Sequence, residues 1–172
     1  MVEIPSQNID DDSSTASLQS AISRINPAPT REQIEALQRE LISHIDRNSL
    51  CEYPTEHYFS NGMYCRKASF PAGQLIVGAV HKEQHLFILA SGQAKVWTEQ
   101  GESVLNSGAV ICGEPGVKRV VYTITDCIGI NVFKTDSTDL DEIEKQITEE
   151  DDTAMFDIRL QLKMKPIEHI KD

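Results

Sequence analysis

Residues 70–92 read FPAGQLIVGAVHKEQHLFILASG, and the reading of this stretch decides the fold. Pro71-Ala72-Gly73 opens it as a turn, because proline pre-sets φ and glycine accepts positive φ without steric cost. Leu75-Ile76-Val77 follows as a strand. His81 and His85 come next, then the apolar run Leu86–Leu89, closed by Ser91-Gly92. Turn, strand, polar bend with two imidazoles, second strand and second glycine turn make a β-unit with a candidate site at its centre.

The same rhythm extends in both directions. Upstream, Glu56-His57-Tyr58-Phe59 runs to the turn Ser60-Asn61-Gly62, and Met63–Phe70 leads into Pro71. Downstream, Ala94–Thr98, Ser103–Leu105, Ala109–Cys112, Val120–Ile124 and Ile128–Phe133 are short β-type runs. Gln100-Gly101, Asn106-Ser107-Gly108, Gly113-Glu114-Pro115-Gly116 and Thr125-Asp126 separate them. Eight or nine strands at intervals of 8–12 residues predict an all-β sandwich or barrel.

Helices flank that region. Thr30 and Gln33 have the spacing of a capping box, and Ile34, Leu37, Leu41 and Ile45 form one apolar stripe of a helix running to about Arg47. Such a stripe must be buried, either on the chain's own sheets or against a partner's helix. Before it, Leu18, Ala21, Ile22 and Ile25 predict a shorter helix behind a polar, acidic stretch, residues 1–15, expected to be disordered. After the strands, Ser137 or Thr138 is the expected cap of a helix over Asp139–Glu149, with Leu140, Ile143 and Ile147 on its apolar face. Finally, Phe156, Ile158, Leu160, Leu162 and Met164 alternate with polar residues, which predicts a strand for a barrel edge or another subunit. The domain map is an acidic, largely disordered arm over 1–29, an amphipathic helix over 30–50, a barrel over 51–135, and a helix plus strand over 136–172.

The 172 residues carry a formal net charge of −11. That argues against nucleic acid as a partner, since binding to phosphates needs clustered Lys and Arg. No apolar run approaches the roughly 20 residues that cross a bilayer, so no membrane partner is expected. The acidic N-terminus is unlike a signal or transit peptide, and a cytoplasmic location is expected. Cys51, Cys65, Cys112 and Cys127 form no C-x-x-C pair and are expected to be buried small hydrophobes.

A two-part layout now stands out. Its first part is Pro71-Ala72-Gly73, the histidine segment and the apolar run to Gly92; its second is Gly108 followed by Pro115-Gly116-Val117-Lys118-Arg119. This resembles the two motifs of the cupin superfamily, small double-stranded β-helix barrels of jelly-roll type. In that family two histidines and a glutamate of the first motif, with a histidine of the second, bind a metal inside the barrel. Counting back from Gly92 puts His85 at the glutamate position, His81 at the second histidine and Ala79 at the first. Counting on from Gly116 puts Arg119 where the second motif has its histidine, and arginine cannot ligate a metal. Over about residues 52–147 the chain is also similar to small cupin-like proteins of bacteriophages and prophages. That similarity rests on Pro54–Phe59, Gly62–Arg66, the histidine pair, Pro115–Arg119 and Thr138-Asp139-Leu140. The resemblance implies a single all-β cupin-like jelly-roll barrel, in the host cytoplasm or associated with a virion.

The candidate metal ligands are His81, His85 and His57, with Glu56 as the other choice for the third, and Zn, Fe or Ni as the divalent ion. The alternative is a polar pocket without metal. Arg119, with Arg66 beside it, is expected to meet an anion if it points inward, and to sit on a basic surface if it does not. Gly113-Glu114 and Arg119 are also similar to a cyclic-nucleotide-binding domain, in which Gly-Glu meets the ribose and Arg the phosphate. Tyr122 and Trp97 are then candidates to stack on a base. The candidate ligand-binding residues are therefore Arg119, Tyr122, Glu114 and Arg66. No catalytic residue is assigned, because Gly-x-Ser-x-Gly, the P-loop and Gly-x-Gly-x-x-Gly are all lacking.

Three functions follow from these features. The first is a cupin-like protein that binds a small ligand or divalent metal in its barrel. The second is a structural or interaction module that forms a homo-oligomer, or meets a protein partner, through the N-terminal helix and C-terminal strand. The third is a cupin-type sugar epimerase or isomerase using His81 or His85 with Tyr122.

Overall fold

The computed structural model describes residues 12–44 and 52–163. In order the elements are α1 (Asp12–Ser23), α2 (Arg31–His44), β1 (Thr55–Ser60), β2 (Met63–Phe70), β3 (Leu75–Val77), β4 (His85–Ser91), β5 (Gln93–Thr98), β6 (Gly101–Asn106), β7 (Ala109–Gly113), β8 (Val120–Thr123), β9 (Cys127–Lys134) and α3 (Leu140–Ile147). The first sheet has the order β1-β2-β9-β4-β7 and the second β3-β8-β5-β6. All pairs are antiparallel. Without β1, this is the jelly-roll order, in which distant strands alternate between two facing sheets. The expected barrel is thus two sheets packed face to face, with no strand pair joining them among the described residues.

Gly92 makes the tight β4–β5 connection. It holds φ at +92°, and a Cβ there would lie 2.2 Å from the Asp126 carbonyl oxygen, so only glycine fits. Alternation along the strands sends Arg66, Phe70, Phe87 and Asn131 of the first sheet towards Val96, Leu105 and Val121 of the second. The second sheet's outer face carries Leu75, Trp97 and Val120, and the two N-terminal helices cover it through Ala21 and Ile34. The apolar stripe of α2 is therefore spent on the chain's own sheet, with Ile34 only 1% exposed. Thr30 and Gln33 form the expected box: the Thr30 amide donates to Gln33 Oε1 at 3.0 Å and the Gln33 amide to Thr30 Oγ1 at 3.3 Å. Ile45 and Cys51 lie outside the described residues.

Four local expectations are corrected. The first helix starts at Asp12, inside the stretch expected to be disordered. The cap of α3 is Asp139, because its carboxylate reaches the amides of both Asp141 and Glu142, at 3.0 and 2.9 Å. Residues 156–163 form no strand. Asp157 Oδ1 accepts from the amides of Arg159 and Gln161, both at 2.9 Å, and this side-chain bonding folds the segment into a turn. Only an isolated Phe156–Leu162 bridge remains, and Met155, Ile158 and Leu160 are the buried residues. Of the cysteines, Cys127 is buried, Cys65 half-buried and Cys112 exposed. Cys112 lies on the outer face of the first sheet, next to Leu86, which is also exposed. No helix among the described residues is long and apolar enough to cross a membrane.

Candidate functional site

A cavity of about 180 Å³ lies between the sheets. Its walls are mostly apolar, and residues 154–158 and Leu160 complete them on one side. Arg66, His81, His85, Arg119 and Asn131 all face it. Strand register explains part of this convergence: Arg66 of β2 and Phe87 of β4 both sit opposite Asn131 of β9.

The rings of His81 and His85 lie side by side. Their ring centroids are 4.4 Å apart, and both pack on Phe133 of β9, at 4.9 and 5.0 Å. His85 pairs in register with Gly113 of β7, and its ring occupies the space a side chain there would need. His81 precedes β4, and its backbone bridges to Thr148 just after α3. Burial, and then the neighbouring His85 and the two arginines, push His81 down to about 3; burial chiefly lowers His85 as well. Both rings are therefore neutral at pH 7.

The sign of the resulting pH dependence is set by His81. Between about pH 3 and pH 6.5 the unfolded chain binds a proton at this residue that the folded chain refuses, so stability falls on acidification through that window. One proton gives a slope of up to about 1.4 kcal/mol per pH unit. His81→Gln is expected to remove one such slope from urea unfolding free energies measured between pH 4.5 and 6.5. Parallel profiles for the variant and the parent would show that His81 is protonated in the folded protein.

Arg119 points inward. Among the described residues its guanidinium has no hydrogen-bond or ion-pair partner. Arg66 Nη1 donates to the Ile158 carbonyl at 3.1 Å, while Arg66 Nε and His81 Nδ1 are buried with no partner among the described residues. Burial pulls both guanidinium groups below their ordinary value. The carboxylates nearby are engaged elsewhere. Glu144 pairs closely with Lys163, Asp157 caps its own turn, and Asp151 accepts from Lys118 Nζ at 3.0 Å.

The other sequence candidates are not brought to this cluster. His57 is in register with Arg66, but on the edge strand β1, where its Nδ1 meets the Tyr64 hydroxyl at 2.8 Å. Tyr122 belongs to the outer face of the second sheet and packs with the helix-covered cluster of Trp97. Glu114 is exposed and bonds Gln84. Asn131, Phe133 and Glu144 face or support the site without any motif to mark them; strand alternation within Ile128–Phe133 is the signal that places Asn131 and Phe133 on one face. A resident divalent ion does not fit this donor set. Two imidazoles stand beside two guanidiniums, and no group of three or more His, Cys, Asp or Glu forms among the described residues.

No protein-family model matches the chain, and no curated protein matches it. Solved structures that align with it include KdgF from Halomonas sp., at 11% identity and a TM-score of 0.45, over 56% of this chain and 91% of that one. A Cupin 2 conserved barrel domain protein from Salinispora arenicola aligns at 14% identity and a TM-score of 0.43, over 54% of this chain and 86% of that one. The EutQ protein of Clostridium difficile aligns at 14% identity and a TM-score of 0.41, over 48% of this chain and 68% of that one.

Proposed function

We propose that this is a cupin-type protein whose interior cavity binds a small anionic molecule, with Arg119 and Arg66 as the counter-charges. The cupin-type half of the reading is supported by the jelly-roll order and by two motif segments, around His81–His85 and Arg119, that converge on one cavity. The anion rests on one observation: a guanidinium faces the cavity with no anionic partner among the described residues. Arg119 is half-buried, and a charge held partly out of water without a counter-ion is costly, a cost that a bound anion offsets. Arginine also suits the task, because its planar fork matches a carboxylate with two parallel hydrogen bonds.

Arg119→Met tests this. The variant without ligand is expected to be more stable than the parent by up to about 1 kcal/mol, since a half-buried uncompensated charge is replaced by an apolar chain. It is also expected to lose the stabilisation that inorganic phosphate, sulfate or small carboxylates give the parent in thermal unfolding. If no anion stabilises the parent, or if the variant keeps the effect, the cavity is not an anion site.

A further inference from the structure

The walls of the cavity carry information beyond its charge. Phe70, Phe87, Ile111, Val121, Met155 and Ile158 surround the space that the arginines face. At about 180 Å³ it exceeds a cavity of about 150 Å³ that holds a benzene. The free positive charge is small, because Glu144, Asp151 and Asp157 line the same cavity as Arg66 and Arg119. A second negative charge on a ligand would meet those carboxylates, so a monoanion fits better than a dianionic phosphate.

From the mostly apolar walls, the volume and two guanidiniums without an ion-pair partner among the described residues, beside lining carboxylates, we infer that the ligand is a monocarboxylate with an apolar body of about phenyl size, its carboxylate on Arg119 and Arg66. This rests on the anion-binding reading above and narrows it. The carboxylate takes the two guanidinium groups, and the body displaces what solvent the apolar end holds. His81 and His85, both neutral, flank the head group without competing for it.

Calorimetric titration of the full chain with acetate, butyrate, hexanoate, phenylacetate, phenylacetamide and inorganic phosphate decides the matter. Affinity is expected to rise about fourfold per methylene from acetate to hexanoate, the factor for one buried CH₂. Phenylacetate should bind at least as tightly as butyrate. Phenylacetamide, its uncharged isostere, should bind at least about tenfold more weakly, which is the loss of a charge-assisted pair. Val121→Phe, which fills the apolar end, should retain acetate and lose the gain with chain length, with its fold checked by circular dichroism. Should that variant fail to fold, the series on the parent chain decides alone. A flat series in which acetate still binds, or phosphate binding as tightly as hexanoate, overturns the apolar-body inference and leaves anion binding in place. No binding by any anion overturns both. Phenylacetamide binding as tightly as phenylacetate overturns the role of the carboxylate.

Discussion

Asp151→Ala is expected to destabilise the protein by about 3–5 kcal/mol, the usual consequence of leaving a buried charge without its partner. Lys118 is 1% exposed, and its ammonium meets Asp151 Oδ2 at 3.0 Å. The same carboxylate accepts from Gln38 Nε2 at 3.1 Å and from the Thr153 amide and hydroxyl at 2.8 and 2.7 Å. One acid thus ties helix α2, the approach to β8 and the C-terminal segment together. The reverse truncation is not equivalent. Lys118→Met leaves Asp151 with Gln38 and Thr153 and with some solvent, so a loss of only about 1–2 kcal/mol is expected. The double variant should recover much of the Asp151→Ala loss, because no charge is then stranded. Urea midpoints of the three variants check this order; equal losses for both single changes would show that the ammonium reaches water. Burial opposes ionisation of Asp151, but the bonds from Thr153, Gln38 and Lys118 win and hold its carboxyl well below the usual range. Its contribution is present above about pH 4 and is lost as pH falls below that, a window more acidic than that of His81.

Gly113→Ala is expected to cost about 2–3 kcal/mol and to abolish anion binding. An added Cβ would lie 2.2 Å from His85 Cε1 and 2.5 Å from Nε2, so the imidazole must leave. Its ring is wedged against Phe133, which also carries His81, and the displacement therefore disturbs both histidines and the charged end of the cavity. Coupling between the sites gives a sharper reading than the loss alone. His85→Ala/Gly113→Ala should be more stable than Gly113→Ala, because the offending ring is gone. Histidine Hε1 shifts in proton spectra report the ring's departure directly. Unchanged shifts and an unchanged urea midpoint in Gly113→Ala would mean that the strand yields instead of the ring.

The nine strands and the capping box of α2 were legible because their signals are local: alternation, glycine turns, and a Thr-x-x-Gln spacing. What brings the site together is not local. Arg66 and Arg119 line one cavity because β2 and β8 belong to facing sheets, and Phe133 reaches both histidines only through the pairing of β9 with β4. Tyr122 shows a second limit. In Val120-Val121-Tyr122-Thr123 every residue suits a strand, so composition gives no phase, and Val121 rather than Tyr122 faces the cavity. The C-terminal alternation failed for a different reason. Asp157 offers the backbone bonds that a neighbouring strand would otherwise supply, and the chain takes the nearer partner.

Residues 154–160, which complete the cavity wall, belong to neither sheet. Their side chains take part in no ladder, yet Met155, Ile158 and Leu160 each belong to a core cluster. Scaffold and lining are thus made by different kinds of element: the first is dispersed across nine strands, while part of the second sits in one short contiguous cassette. Volume-conserving changes in that cassette would therefore reshape the cavity wall while the nine strands keep their pairing.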